Sequence, residues 1–138
     1  MKKPMPATEF LDTNIIIYAY STDAAKKSAA LDLLAESPVI STQVLNETAA
    51  VFHRKKLMTS ALIGTAIDDL SAWCHINQLS IGTIKLALYL TDRYKFAYYD
   101  ALIVASAMES ECTVLYSEDM QHGQIVANRL RIANPFLP

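Results

Sequence analysis

Four acidic side chains stand in apolar company. Asp12 follows Phe10-Leu11 and precedes three isoleucines, and Glu47 lies inside Val44-Leu45-Asn46-Glu47-Thr48-Ala49-Ala50-Val51. Asp100 sits between Ala97-Tyr98-Tyr99 and Ala101-Leu102-Ile103-Val104, and Asp119 comes just after Val114-Leu115-Tyr116. The other acids, Asp23, Asp32, Asp68 and Asp92 among them, fall on polar helix faces or near helix ends, where a carboxylate is solvated or caps a helix. Each of the four also has an ordinary explanation: Asp12 and Asp100 as helix caps, Asp119 as a turn former, Glu47 as an exposed helix acid. Together they imply more. Clustered carboxylates repel one another and are costly to desolvate. A hard divalent cation, Mg²⁺ or Mn²⁺, relieves both costs with oxygen ligands alone. The chemistry of such a centre is on phosphates: it activates water and neutralises charge developing in the transition state.

The remaining composition excludes other chemistries. Gly64, Gly82 and Gly123 lie too far apart to build a phosphate-cradling loop. His53, His75 and His122 form no HxxxH or HExxH, Cys74 and Cys112 form no CxxC, and there is no GxSxG. Twelve basic against fourteen acidic residues, formally −2, exclude nucleic-acid binding by bulk charge but leave room for a local patch. Lys26-Lys27, Arg54-Lys55-Lys56 and Arg93 with Lys95 are the candidates, although the second also reads as a complement to a helix C-terminus. Tyr94, Tyr98 and Tyr99 are read either as platforms for unpaired bases or as core and interface aromatics. Met1-Lys2-Lys3-Pro4 starts like a signal peptide, but Pro6 and Glu9 interrupt the region that should be apolar. No apolar run approaches the ~18 residues that span a bilayer. The expectation is a cytoplasmic protein with reduced thiols and no membrane segment. At 138 residues and 52% hydrophobic, the chain makes one packed domain, 1–138. Its positive mean hydropathy leaves apolar surface for a partner.

Short apolar runs alternate with longer amphipathic ones. Strands are expected at Ala7 to Leu11, Pro38 to Ser41, Gln78 to Ile81, Thr113 to Tyr116, and Arg129 to Ile132, the last as an edge strand. Helices are expected over Ile15 to Tyr20, Ala24 to Glu36, from a Thr42 cap to about Lys56, Ser60 to about His75, Thr83 to Lys95, and Tyr98 to Glu111. Ile15 to Tyr20 is rich in β-branched residues, yet Asp12-Thr13-Asn14 before it is a good helix start. Such alternation implies a parallel sheet flanked by helices, with ligands beyond the C-terminal strand ends. Asp12 and Asp119 fall at that edge, and Glu47 and Asp100 near the starts of helices leaving it.

These segments resemble the PIN domain. Phe10-Leu11-Asp12-Thr13-Asn14 is similar to its opening motif and Ser41-Thr42-Gln43-Val44-Leu45-Asn46-Glu47 to its second acidic position. Tyr99-Asp100-Ala101-Leu102-Ile103-Val104-Ala105-Ser106-Ala107 resembles the third, and Leu115-Tyr116-Ser117-Glu118-Asp119-Met120-Gln121-His122-Gly123 the fourth. The ending, Leu130-Arg131-Ile132-Ala133-Asn134-Pro135-Phe136, is similar to the close of many bacterial members. The resemblance implies a three-layer α/β/α sandwich with a central, mainly parallel sheet. It also implies a Mg²⁺- or Mn²⁺-dependent ribonuclease of the VapC toxin type, commonly dimeric and paired with an antitoxin. It maps the acidic quartet onto Asp12, Glu47, Asp100 and Asp119. It makes Thr13 and Asn14 supports of the turn that presents Asp12, and Ser117 the hydroxyl of a hydroxyl-x-acid pair with Asp119. Glu118, next to Asp119, is the one ambiguity: it could face the site or turn away. Rival readings are a structure-specific DNA nuclease and a non-catalytic module of the same fold that binds RNA or protein. A receiver-like domain fits poorly, because no acidic pair stands at the first strand and no late strand ends in lysine.

Overall fold

The computed structural model describes residues 8–138. The expected strand from Ala7 therefore begins one residue outside the described part. Among the described residues six short strands form one sheet in the order β3-β2-β1-β4-β6-β5. They are β1 (Glu9–Leu11), β2 (Val39–Ser41), β3 (His75–Asn77), β4 (Val114–Tyr116), β5 (Ile125–Val126) and β6 (Leu130–Ala133). Every pairing is parallel except β5 with β6. Phe10 sits opposite Val39 on one side and Leu115 on the other, and Leu115 sits opposite Ile132. Phe10, Leu11, Ile40, Leu115 and Ile132 are wholly buried, as strands covered on both faces must be.

Among the described residues six helices cover the sheet: α1 (Thr13–Ala19), α2 (Ala24–Leu34), α3 (Thr42–Arg54), α4 (Ser60–Trp73), α5 (Ile81–Tyr94) and α6 (Tyr98–Glu109). From β1 the chain winds outward through α1 and α2 to β2, then through α3 and α4 to β3. It then crosses back through α5 and α6 to β4, on the other side of β1. Right-handed crossovers running in opposite directions put the two helix sets on opposite faces. The α/β architecture with a central, mainly parallel sheet is as expected. Strand order reverses between β1 and β4, so the crevice beyond their C-terminal ends is the topological switch point. From Ala101 to Ala107 every residue of α6 is buried, which makes this helix the centre of its layer.

The structure corrects several boundaries. The third strand is His75–Asn77, not Gln78 to Ile81. Ser80 caps α5: its hydroxyl accepts from Thr83 N–H while Thr83 Oγ1 accepts from Ser80 N–H. That reciprocal box pulls Ile81 into the helix and leaves the strand to the residues before it. The cap of α3 is Ser41 rather than Thr42. The helix α2 stops at Leu34, two residues early, and α6 at Glu109, followed by left-handed Ser37 and Glu111 respectively. Strand β6 is not an edge: β5, which was not expected, covers it. Ala127 and Asn128, both at positive φ, fold β5 back onto β6 through a three-residue hairpin loop that ends with Arg129.

Candidate active site

Asp12 follows β1 directly and caps α1. Its Oδ1 accepts from Thr13 N–H at 2.7 Å, and its Oδ2 accepts from Ser117 Oγ at 2.8 Å. Ser117 follows β4, so this bond closes the switch-point crevice across the two strands that define it. Asn14, in the first turn of α1, reaches across the same gap. Its amide nitrogen donates to Asp119 Oδ2 at 3.0 Å and makes a longer contact with Asp12 Oδ2, while its carbonyl accepts from Glu118 N–H. Glu47 arrives from α3, where Thr13 Oγ1 donates to its Oε2 and Gln43 Nε2 to its Oε1, both at 2.9 Å. Asp100 lies in the first turn of α6. It is not that helix's cap: Ala97 holds the position and offers no side-chain bond. Its carboxylate faces the cleft. The four carboxylates, with Thr13, Asn14, Glu118 and Lys55, line one open cleft of about 450 Å³.

The charges in this cleft are poorly compensated. Asp12 is 5% exposed, and burial pushes its carboxyl up to about 6, with the charges of Asp100 and Glu47 adding to the shift against the Ser117 and Thr13 bonds. Burial likewise raises Asp100, helped by Asp119 and Glu47. Among the described residues the one ion pair joins Lys26 to Glu118, so neither buried Asp12 nor half-buried Asp100 has a basic partner. An oxygen-only donor set carrying unrelieved negative charge fits a hard divalent cation. Among those residues no three His, Cys, Asp or Glu side chains are arranged to enclose an ion by themselves.

Sequence reasoning missed Gln43, although its i,i+4 spacing from Glu47 was a readable signal. It also missed the rim contacts of Tyr18 and Lys26 with Glu118. Of the proposed basic patches, Lys55 lines the cleft, whereas Lys26 is engaged with Glu118. Tyr94 is committed to structure: its hydroxyl accepts from Ala127 N–H and its ring lies against Phe96. Tyr98 and Tyr99 are exposed in the first turn of α6.

A doubly wound α/β domain that presents carboxylates at its switch point is the class defined by this fold and cleft. The family model that matches is the PIN domain, over residues 10–126. The chain belongs to the PIN domain family. No curated protein matches it. Among solved structures, a toxin–antitoxin complex from Klebsiella pneumoniae superposes with a TM-score of 0.71 at 21% identity, covering 93% of this chain and 98% of that one. VapBC2 from Rickettsia felis, bound to a promoter DNA fragment, gives 0.67 at 21% identity, covering 91% and 97%. Mycobacterium tuberculosis VapC20, a toxin that cleaves the sarcin-ricin loop, gives 0.61 at 18% identity, covering 80% and 89%. At these identities the likeness is one of fold.

Proposed function

We propose that this chain, as a single nuclease domain, is a divalent-metal-dependent endoribonuclease and the toxin of a toxin–antitoxin pair. The observation that carries the reading is the gathering of Asp12, Glu47, Asp100 and Asp119, from four separate segments, around one switch-point cleft. Asp12 and Asp100 would be the main ligands of Mg²⁺ or Mn²⁺. Asp119 and Glu47 would complete the set through waters or hold a second ion. When bound there, such an ion would supply a water of lowered pKa and offset charge on the phosphate in the transition state. Ser117 and Thr13 N–H hold the Asp12 carboxylate in one orientation. Thr13 Oγ1 and Gln43 do the same for Glu47, and Asn14 ties Asp119 to α1. Lys55, on the cleft wall, is placed to meet a phosphate. Toxin–antitoxin complexes among the structural neighbours support an antitoxin partner. Ile81, Ile84 and Leu88 form an exposed apolar stripe on α5, which supports a homodimer. Light scattering at micromolar concentration tests the dimer, and a monomer there argues against it. The described residues contain no helix long and apolar enough to cross a membrane, and we place the protein in the cytoplasm.

The test is cleavage of a mixed structured RNA pool by wild type and Asp100→Asn, each in Mg²⁺, Mn²⁺ and EDTA, with folding checked by circular dichroism. Cleavage that requires metal and is lost in the folded variant is the expected result. Equal activity of both proteins overturns the site.

A further inference from the structure

Glu118 is a fifth carboxylate on the same cleft, and its surroundings differ from those of the other four. Tyr18, one turn beyond Asn14 on α1, donates its hydroxyl to Glu118 Oε1 at 2.6 Å. Lys26, from α2, donates to Glu118 Oε2 and also to the Tyr18 hydroxyl. The lysine ammonium lies 4.6 Å from the centre of the Tyr18 ring and 5.2 Å from that of Phe136. Tyr18 and Phe136 meet edge to face at 5.1 Å. The C-terminal segment around Phe136 thus supports a cation whose charge is directed at one carboxylate.

We propose that Lys26 is a positioning residue that masks Glu118, so that an anionic phosphodiester can approach a cleft otherwise lined by five carboxylates. The inference rests on reading this cleft as a site for metal and RNA. Asn14 anchors the backbone of the Ser117–Glu118–Asp119 turn, and Lys26 with Tyr18 fixes its middle side chain. The turn therefore presents Asp119 to the cleft with Glu118 neutralised beside it. Without Lys26 the Tyr18 hydroxyl still holds Glu118 at the cleft wall, now as a bare charge. Such a charge attracts cations and repels phosphates, so its effects on the two ligands have opposite signs. A loss of fold weakens both.

Four proteins decide the matter: wild type, Lys26→Met, Glu118→Gln and the double variant. Met keeps the apolar stem that packs on Tyr18 and Phe136 while removing the charge. Two affinities are measured for each: Mn²⁺ by calorimetry without nucleic acid, and a cleavage-resistant 2′-O-methyl RNA oligonucleotide by fluorescence anisotropy at low ionic strength. Lys26→Met should bind Mn²⁺ more tightly and the oligonucleotide more weakly, each by about threefold or more, the order of one unit charge acting through a solvated rim. Glu118→Gln should shift both in the opposite directions. The double variant should return to near wild type, because the pair is removed as a neutral unit. Weakening of both ligands by Lys26→Met, or failure of Glu118→Gln to restore them, overturns the proposal. If wild type takes up no Mn²⁺, the metal reading of the cleft fails, and the oligonucleotide measurements alone still decide the role of Lys26.

Discussion

The floor and the rim of the cleft hold their carboxylates under opposite conditions. On the floor, Asp12 is buried at the end of β1, bonded to a backbone N–H and to Ser117, with no cation against it. On the rim, Glu118 is a quarter exposed and paired with Lys26. Its carboxyl is held below the usual range by the Lys26 and Tyr18 bonds, whereas that of Asp12 is pushed up to about 6 by burial. An exposed ion pair is the ordinary state of a surface acid. A buried, unpaired carboxylate next to two others weakens the fold and persists where something binds it. Under the proposed nuclease reading, the contrast makes the floor the seat of the chemistry and the rim a setting of charge around it.

The largest expected difference between the two regions is in catalysis. Removing a group that only orients a metal ligand typically costs ~10–100-fold in metal affinity or activity. Replacement of a ligand itself should cost more. Asp12→Asn and Asp100→Asn should each lower metal-dependent RNA cleavage by more than about 100-fold, measured as initial rates at saturating Mg²⁺. A floor variant that cleaves within a few-fold of wild type would erase the distinction between floor and rim.

Stability against pH separates the regions next. The unfolded chain ionises Asp12 near its ordinary 3.8, while the folded chain keeps the proton until about 6. Between those values the folded state binds more protons, so stability falls as pH rises, and the penalty is complete above about 6. Taken alone the shift is worth up to about 3 kcal/mol. Asp100, raised by the same causes, acts in the same direction. The protein in EDTA should therefore melt several degrees higher at pH 5 than at pH 7.5, and Asp12→Asn should flatten most of that slope. Saturating Mg²⁺ at pH 7.5 should recover stability by mass action. Parallel slopes for wild type and Asp12→Asn would show that the floor carries no unrelieved charge.

Ser117→Ala is a smaller perturbation of the same floor. The Ser117 hydroxyl favours the ionised form of Asp12, and it also accepts from Met120 N–H. Its loss should raise the Asp12 pKa further and weaken Mn²⁺ binding by about tenfold at pH 6, less at pH 8 where Asp12 ionises without help. A pH-independent loss would assign Ser117 to holding the Met120 turn instead.

Much of this arrangement was legible before the fold was known, for local reasons. Asp12 and Asp119 follow short buried strands, and the rule that ligands lie beyond strand ends applies to both. Glu47 and Asp100 interrupt apolar helix faces, a pattern visible along the chain itself. Less legible was anything decided by long-range pairing. The two-residue β5 has too little pattern of its own and exists because β6 offers it a hydrogen-bonding edge. His75–Asn77 became a strand because β2 pairs with it, while the Ser80–Thr83 box assigned the next residues to α5. Glu118 was ambiguous for the same reason: its orientation is set by Tyr18 and Lys26, about a hundred positions away in sequence.

The finest distinction is therefore expected at the rim, in a variant one residue from the floor. The bonds from Lys26 and Tyr18 favour ionised Glu118. Its folded pKa lies below its unfolded value of 4.5, so whatever stability the pair contributes is fully present above that value and is lost only as pH falls through the lower folded pKa. Between pH 5 and 7.5 the contribution is constant. Glu118→Gln should displace the melting curve in EDTA slightly and uniformly across that window, leaving the slope set by Asp12 intact. A pH series of melting temperatures for wild type, Asp12→Asn and Glu118→Gln reads both behaviours at once. If Glu118→Gln changed the slope as much as Asp12→Asn, the two carboxylates would belong to one coupled cluster, and the division between floor and rim would give way to a single pool of charge.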